Sequence, residues 1–344
     1  MPTQFTVAIR TFNGAERLPT VLKKLQEQQG TEKIEWEVLI IDNNSQDATA
    51  KIIADHQRKW SLPVPFRYVF EPRQGAAFAR DRCIAEANSE LIGFLDDDNW
   101  PGPDWVARAF QFGADHPEIG AYGGNIHPYL EDTPPDYFGQ VSYLLAVDDR
   151  GSTAYQYPRS FHRIVPIGPG LVIRKQAWKE CVPQHRRLRG RNINARFGKG
   201  SAEDIEAVSY IHTSHWQVWH NPDLEVWHHI PAQRWEREYL LKIAVGSGLG
   251  NYACFVGQLQ PWLRPFAPLL AMVFVVVRSY RLAVFYLRYR RKMQTDIAAA
   301  CHFNELLGKI MSPFLTPRPT AHQGNLQVRS VIAPSLPVSL ERSS

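Results

Sequence analysis

The chain has 344 residues, enough for about two domains or one large domain with appended segments, and its 44% hydrophobic and 21% charged residues exclude disordered, collagen-like and disulfide-scaffold classes. Lys plus Arg number 39 against 34 Asp plus Glu, but residues 264–292 alone hold seven of the basic residues and no acid. The net charge of +5 is therefore local, which argues against a general nucleic-acid binder and for one cationic surface facing something anionic.

From residue 5 to about 125, short β-rich runs alternate with helical patterns. Strands are predicted at 5–10, 36–42, 66–70, 91–96 and 121–125, and helices near 17–28, 48–59, 76–87 and 104–114, with Asn13 and Ser45 as candidate caps for the first two helices. Such alternation predicts βαβ units and a mostly parallel, doubly wound sheet, whose ligands bind beyond the carboxyl ends of the strands. Residues 132–163 are rich in Pro, Tyr and Asp and are expected to form loops with short strands. A strand is expected at 168–174, behind Gly168-Pro169-Gly170, and a basic loop at 186–199 that is either a lid over the site or simply solvated. Helices follow at 202–213, opened by two acids, and at 235–256.

The segment 263–292 alternates apolar runs with Arg and ends in RYRRK. Its unbroken apolar core, 267–277, is about half the length that spans a bilayer. An interfacial helix lying on an anionic membrane suits this pattern, and a core helix with a solvated basic end is the alternative. From about Ser312 the chain is Pro- and Ser-rich and is expected to be poorly ordered. The expected division is therefore 1–235, 236–311 and 312–344. Four cysteines lie far apart without a Cys-x-x-Cys pair, which suggests a reducing compartment. The segment MPTQFTVAIR has no charged stretch followed by an apolar run, so no signal peptide is expected and the cytoplasmic side is the expected location.

The polar residues that close the strands are the candidates for chemistry. Thr11-Phe12-Asn13 and Asp42-Asn43-Asn44-Ser45 would sit side by side as a shelf for a base or ribose. The sequence TFNGAE lacks the glycine fingerprint of dinucleotide cofactors. Strand four ends in Asp96-Asp97-Asp98-Asn99, three adjacent carboxylates behind an apolar run, and their repulsion calls for a compensating cation. A hard divalent ion, Mg²⁺ or Mn²⁺, bridging carboxylate to diphosphate answers that need; an exposed acidic turn is the alternative. Arg73, Gln74 and Arg80 surround Gly75 at a helix start, a favourable phosphate environment. Glu203 and Asp204 open a helix, where acids are favoured by the dipole alone. Trp216, Trp219, Trp227 and Trp235 crowd the neighbourhood of His228 and are read mostly as core.

Taken in order, TFN, DNNSxD, RQGAAFAR, LDDDN, Glu203-Asp204 and His228-x-Ile-Pro-x-x-Arg234 resemble the nucleotide-sugar-dependent glycosyltransferases of family 2, over about residues 5–235. The whole layout, with WHHIPAQRW and the basic tail, is similar to the cyanobacterial hormogonium polysaccharide glycosyltransferases. The resemblance implies an α/β GT-A fold with a C-terminal helical membrane-associating extension. It implies an inverting transfer from a nucleotide-diphosphate sugar, usually UDP-linked, to a growing, lipid-linked exopolysaccharide at the cytoplasmic face of the inner membrane. Thr11, Asn13, Asp42, Gly75, Arg80, Asp96 and Asp97 would then face the donor nucleotide. Asp98 and His228 would hold a divalent metal, Asp204 would be the general base, and Glu203 and Gly170 would serve the donor or acceptor sugar. Asp81 departs from the Asn usual after Ala-Arg, which bears on donor preference. A non-catalytic sugar-nucleotide-binding scaffold, or transfer to polyprenyl phosphate or a small soluble acceptor, are the rival readings.

Overall fold

A computed structural model describes residues 2–159, 165–190 and 202–316. The first half follows the predicted alternation: β1 (Phe5–Thr11), α1 (Leu18–Gln26), β2 (Trp36–Asp42), α2 (Thr49–Lys59), β3 (Phe66–Phe70), α3 (Ala76–Glu86) and β4 (Leu91–Asp96). The runs VAI and VLII are apolar on both faces, so β1 and β2 are buried throughout, as parallel strands covered by helices must be. In α1, Leu18, Val21, Leu22 and Leu25 repeat at helical spacing and form its buried stripe. Asn13 and Ser45 do not cap: the positions before α1 and α2 are Arg17 and Ala48, neither with a side-chain cap bond. The two residues lie several positions too early and instead bind each other's loops, Asn13 N–H donating to Ser45 Oγ and Gln46 N–H to Asn13 Oδ1.

The second half holds β5 (Asn99–Pro101), α4 (Trp105–Asp115), β6 (Ile119–Leu130), α5 (Phe138–Val141), β7 (Tyr155–Gln156), β8 (Val172–Arg174) and α6 (Lys175–Cys181). After these come α7 (Glu203–His212), β9 (Gln217–Ile230), α8 (Arg237–Gln258), α9 (Ala267–Tyr289) and α10 (Ile297–Leu315). The main sheet runs β3-β2-β1-β4-β8-β6-β9-β5, with β7 pairing β9. It is mixed but mostly parallel: β8 runs antiparallel to β4 and β6, and β5 and β7 antiparallel to β9. One face is covered by α1, α2 and α4 and the other by α3, α6 and α7, each with its own apolar core. The sheet register places Thr11 beside Asp42 and Arg10 beside Asp96, so three strand ends open on one edge.

Helix α8 packs against α7 and the end of β9, and against α10, where Gly248 and Gly308 let the two backbones meet. The order of the chain extends past the expected boundary: Ser312 is buried in α10, accepting from Tyr252 N–H and donating to the Leu249 carbonyl. Residues 317–344 of the expected tail, and 191–199 of the expected basic loop, lie outside the described residues. Helix α9 is not a core helix. Only Ala267 and Ala271 are buried, while Leu269, Val276, Tyr280 and Leu287 are 69–73% exposed.

Candidate active site

Beyond the open edge lies a cavity of about 1060 Å³, lined by strand ends, the start of α3, the start of α7 and the end of β9. That volume is at the upper end of small-molecule sites and suits a nucleotide-sized ligand with part of a second substrate. The acidic triplet forms its floor, and each carboxylate has its own arginine. Asp96 takes Arg10 at 2.6 Å, Asp97 takes Arg17 at 2.8 Å and Asp98 takes Arg234 at 2.9 Å. The repulsion that a divalent ion was expected to relieve is thus relieved by three guanidiniums drawn from β1, the turn before α1 and the turn after β9.

Local packing fixes the triplet further. Thr11 Oγ1 donates to Asp97 at 2.7 Å, over Gly14, where an added Cβ would stand 2.1 Å from that hydroxyl and 2.4 Å from the carboxylate. Asn99 closes the turn, accepting from Asp96 N–H and donating to Asp98. Strand β5 pairs Asn99 with His228 of β9, and His229 N–H donates to the Asp98 carbonyl at 2.9 Å, which brings His228 Nε2 to 3.5 Å from Asp98 Oδ2. These two groups are the residues that would hold a divalent ion, a carboxylate oxygen and an imidazole nitrogen being donors that suit Mn²⁺ or Mg²⁺. Among the described residues no cluster of three His, Cys, Asp or Glu adds a further protein ligand.

Across the cavity, α7 presents Glu203 and Asp204. Glu203 Oε1 accepts from Arg10 at 3.1 Å and from Arg80 at 3.3 Å. Burial opposes its charge, but Arg80 and Arg10 together hold the Glu203 carboxyl down at about 2. Arg80 is fully buried over the Phe94 ring, and its Nε and Nη1 have no hydrogen-bond partner among the described residues. Asp204 Oδ2 accepts from Gly168 N–H, and burial, then the charge of Glu203, push the Asp204 carboxyl above the usual range. Two adjacent carboxylates are thereby driven apart, one kept ionised and one made more basic, the pattern that separates a positioning group from a proton acceptor.

The next acid of α7, Glu206, accepts from the N–H groups of Arg187 and Leu188 at 2.9 and 2.8 Å. Arg186 pairs with Asp81 at 2.9 Å, and the Arg189 carbonyl accepts from Ala77 N–H at the start of α3. Asp81 therefore serves this anchorage and is absent from the cavity wall, contrary to an effect on the donor through direct contact.

Of the expected residues, Thr11, Gly75, Arg80, Asp96, Asp97, Asp98, Glu203, Asp204 and His228 meet on the cavity. Asn13, Asp42 and Gly170 are not on its wall. Asp42 is buried, accepting from Ser45 N–H and Tyr68 O–H, so Asn43 and Phe12 face the cavity instead of Asp42 and Asn13. Gly170 has φ +70° and packs under the site against Val226 and Trp105, leaving Gly168 and Pro169 on the wall. Trp216 and Trp235 are buried and Trp219 and Trp227 partly so, and none lines the cavity, as expected of core residues. Arg10, Arg17 and the bridging place of Arg234 were not foreseen. Arg10 carried a signal, since a charge inside the apolar run FTVAIRT needs a buried partner.

Residues 6–173 match the family model described as Glycosyl transferase family 2. The succinoglycan biosynthesis protein ExoM of Rhizobium meliloti (strain 1021) is 23% identical over 248 residues, 70% of this chain and 72% of ExoM. Glycosyltransferase YfnE of Bacillus subtilis (strain 168) is 32% identical over 103 residues, 30% of this chain but 25% of YfnE, so the chain spans most of one relative and a quarter of the other. The structure of mannosyltransferase PcManGT from Pyrobaculum calidifontis, in complex with GDP-Man and Mn²⁺, matches with a TM-score of 0.54 at 16% identity, over 90% of this chain and 89% of that one. At that identity the likeness establishes the fold, an α/β glycosyltransferase fold of GT-A type.

Proposed function

We propose that this transferase, whose residues 6–173 match the family 2 glycosyltransferase model, moves a sugar from a nucleotide-diphosphate donor, a UDP-sugar in the first instance, to a growing lipid-linked exopolysaccharide, with inversion at the anomeric carbon. The observation that carries this reading is the convergence, on one cavity, of the acidic triplet and a basic carboxylate about a hundred residues further along the chain. In a single displacement the base takes the acceptor hydroxyl proton on one face while the diphosphate departs from the other. Asp204 is that base: Gly168 N–H orients its carboxylate, and burial beside ionised Glu203 raises its proton affinity towards the working pH.

The remaining groups divide the donor between them. Phe12 presents an exposed ring beside Asn43 for the nucleobase. Gly75 and the first turn of α3, with Arg189 across from them, face the diphosphate. Asp98 and His228 are the residues that would hold Mn²⁺ or Mg²⁺, which supplies charge neutralisation for the departing diphosphate. The GDP-Man and Mn²⁺ in the PcManGT complex support a sugar-nucleotide donor and a metal, and the succinoglycan role named for ExoM supports a polysaccharide product. The resemblance of the whole layout to hormogonium polysaccharide enzymes points the same way.

Two features support a lipid-borne acceptor and a peripheral place on the cytoplasmic face of the inner membrane. Tyr143, Leu144, Ala146 and Ile243 give the cavity an apolar wall on the side of α8. Helix α9 then offers exposed apolar side chains, with Arg288 near its end and Arg290, Arg291 and Lys292 just beyond it, which suits an anionic interface.

Calorimetric titration with UDP, GDP and dTDP, with Mn²⁺ and then with EDTA, tests the donor half of this reading. Metal-dependent binding of one nucleotide is expected. Folded protein that binds none of the three with metal present would overturn it.

A further inference from the structure

Arg234 stands where two fixed bases converge. Its Nη2 lies 2.9 Å from Asp98 Oδ2 and its Nη1 3.0 Å from His228 Nε2. A guanidinium N–H only donates, so Nε2 accepts, and the His228 proton is on Nδ1, which has no hydrogen-bond partner among the described residues. A carboxylate oxygen and an imidazole lone pair, 3.5 Å apart, thus face one cationic group, the tautomer and orientation a metal ligand requires. The bases are held rigidly by the β5–β9 pairing and by the bond from His229 N–H to the Asp98 carbonyl. The guanidinium is not: it sits at the end of a long side chain, 26% exposed, on the single 3-10 turn Ala232–Trp235.

We propose that Arg234 is an exchangeable internal cation. It fills the cation position of Asp98 and His228 while the site is empty, and it yields that position when a divalent ion arrives together with a diphosphate, to whose oxygens the guanidinium transfers. Without a diphosphate, the ion has to displace a guanidinium that has no other anion to receive it. With one, Arg234 exchanges one charge-assisted, bidentate contact for another. Metal and nucleoside diphosphate therefore strengthen each other's binding, and the coupling resides in this side chain. The inference rests on the donor reading above and adds an order to it.

The test is binding of Mn²⁺ alone, followed by loss of the free-ion electron paramagnetic resonance signal, in wild type, Arg234→Met and Asp98→Asn, with folding checked by circular dichroism. Wild type is expected to bind Mn²⁺ weakly, Arg234→Met at least tenfold more tightly, and Asp98→Asn not measurably. Added UDP is expected to tighten Mn²⁺ binding at least tenfold in wild type and by less than threefold in Arg234→Met. Mn²⁺ affinity in Arg234→Met no higher than in wild type overturns the exchange, as does a full UDP-dependent gain in that variant. Should Arg234→Met fail to fold, Arg234→Lys, which keeps the charge but loses the two-pronged bridge, is expected to fall between the two, and wild-type affinity there counts against the proposal. Failure of the donor reading looks different: wild type then shows no gain with UDP, GDP or dTDP, while the comparison with Mn²⁺ alone still decides the exchange.

Discussion

Replacing Glu203 by Gln removes the carboxylate that Arg10 and Arg80 share beneath the cavity. A carboxyl held at about 2 rather than at the ordinary 4.5 contributes about 3 kcal/mol to folding, at 1.36 kcal/mol for each tenfold change in proton affinity. Because the folded value is lowered, that contribution is complete above pH 4.5 and is lost as pH falls towards 2. The glutamine variant has nothing to protonate, and at neutral pH it leaves the fully buried Arg80 without its counter-charge. The stability gap between wild type and Glu203→Gln should therefore be about 3 kcal/mol at pH 7 and under half of that at pH 3. Urea unfolding followed by tryptophan fluorescence at pH 7, 5, 4 and 3 measures it. A gap that stays constant across this range would refute the charge argument and assign the loss to packing. The same variant should move the acid limb of transfer to lower pH, since the Glu203 charge is one of the forces that raise Asp204.

Asp204→Asn should lower the transfer rate about 10²–10⁴-fold with nucleotide affinity nearly unchanged; lost nucleotide binding in the folded variant would contradict the base role. In wild type, transfer should fall as pH drops through the Asp204 pKa, and because that value is raised, the limb should lie above the ordinary 3.8. Gly14→Ala forces a methyl group onto Thr11 and Asp97, so donor affinity should drop with a stability loss of about 1–3 kcal/mol, and an unchanged titration would show that the Thr11–Asp97 contact is dispensable. Replacing Val273, Val276 and Tyr280 on α9 by Asp should abolish co-sedimentation with anionic vesicles without altering nucleotide binding, because all three are more than 60% exposed; undiminished sedimentation would remove α9 as the membrane surface.

The sequence was most legible where periodicity is carried by aliphatic residues. The strands β1 to β4 and the helices α1 to α4 announce themselves through runs such as FTVAI, VLII and LIGFL. Strand β9 does not, because its inward positions include His220 and His228, a Pro interrupts it at 222, and its pairing with β6 shifts register between Gly123 and Asn125. Strand β5, three residues long, is too short for any pattern to mark, although it is the pairing that delivers His228 to Asp98. The acidic triplet shows the same division. Its need for positive charge was readable from three adjacent carboxylates, but that Arg10, Arg17 and Arg234 would meet that need is decided by tertiary structure. Asn13 and Ser45 illustrate the converse, their residue types suiting a cap while the chain uses them to fasten one loop to another.

The segment 186–190 is tied at its middle to the helix that carries Asp204, where Arg187 and Leu188 donate to Glu206, and on either side to the helix that opens at Gly75, where Arg186 pairs with Asp81 and the Arg189 carbonyl accepts from Ala77 N–H. It is a common strap across the two walls that the proposed function assigns to donor and acceptor. A change in its length or seating would be felt by donor and acceptor at once, so variants here should alter both Michaelis constants together, whereas changes on either wall alone should separate them.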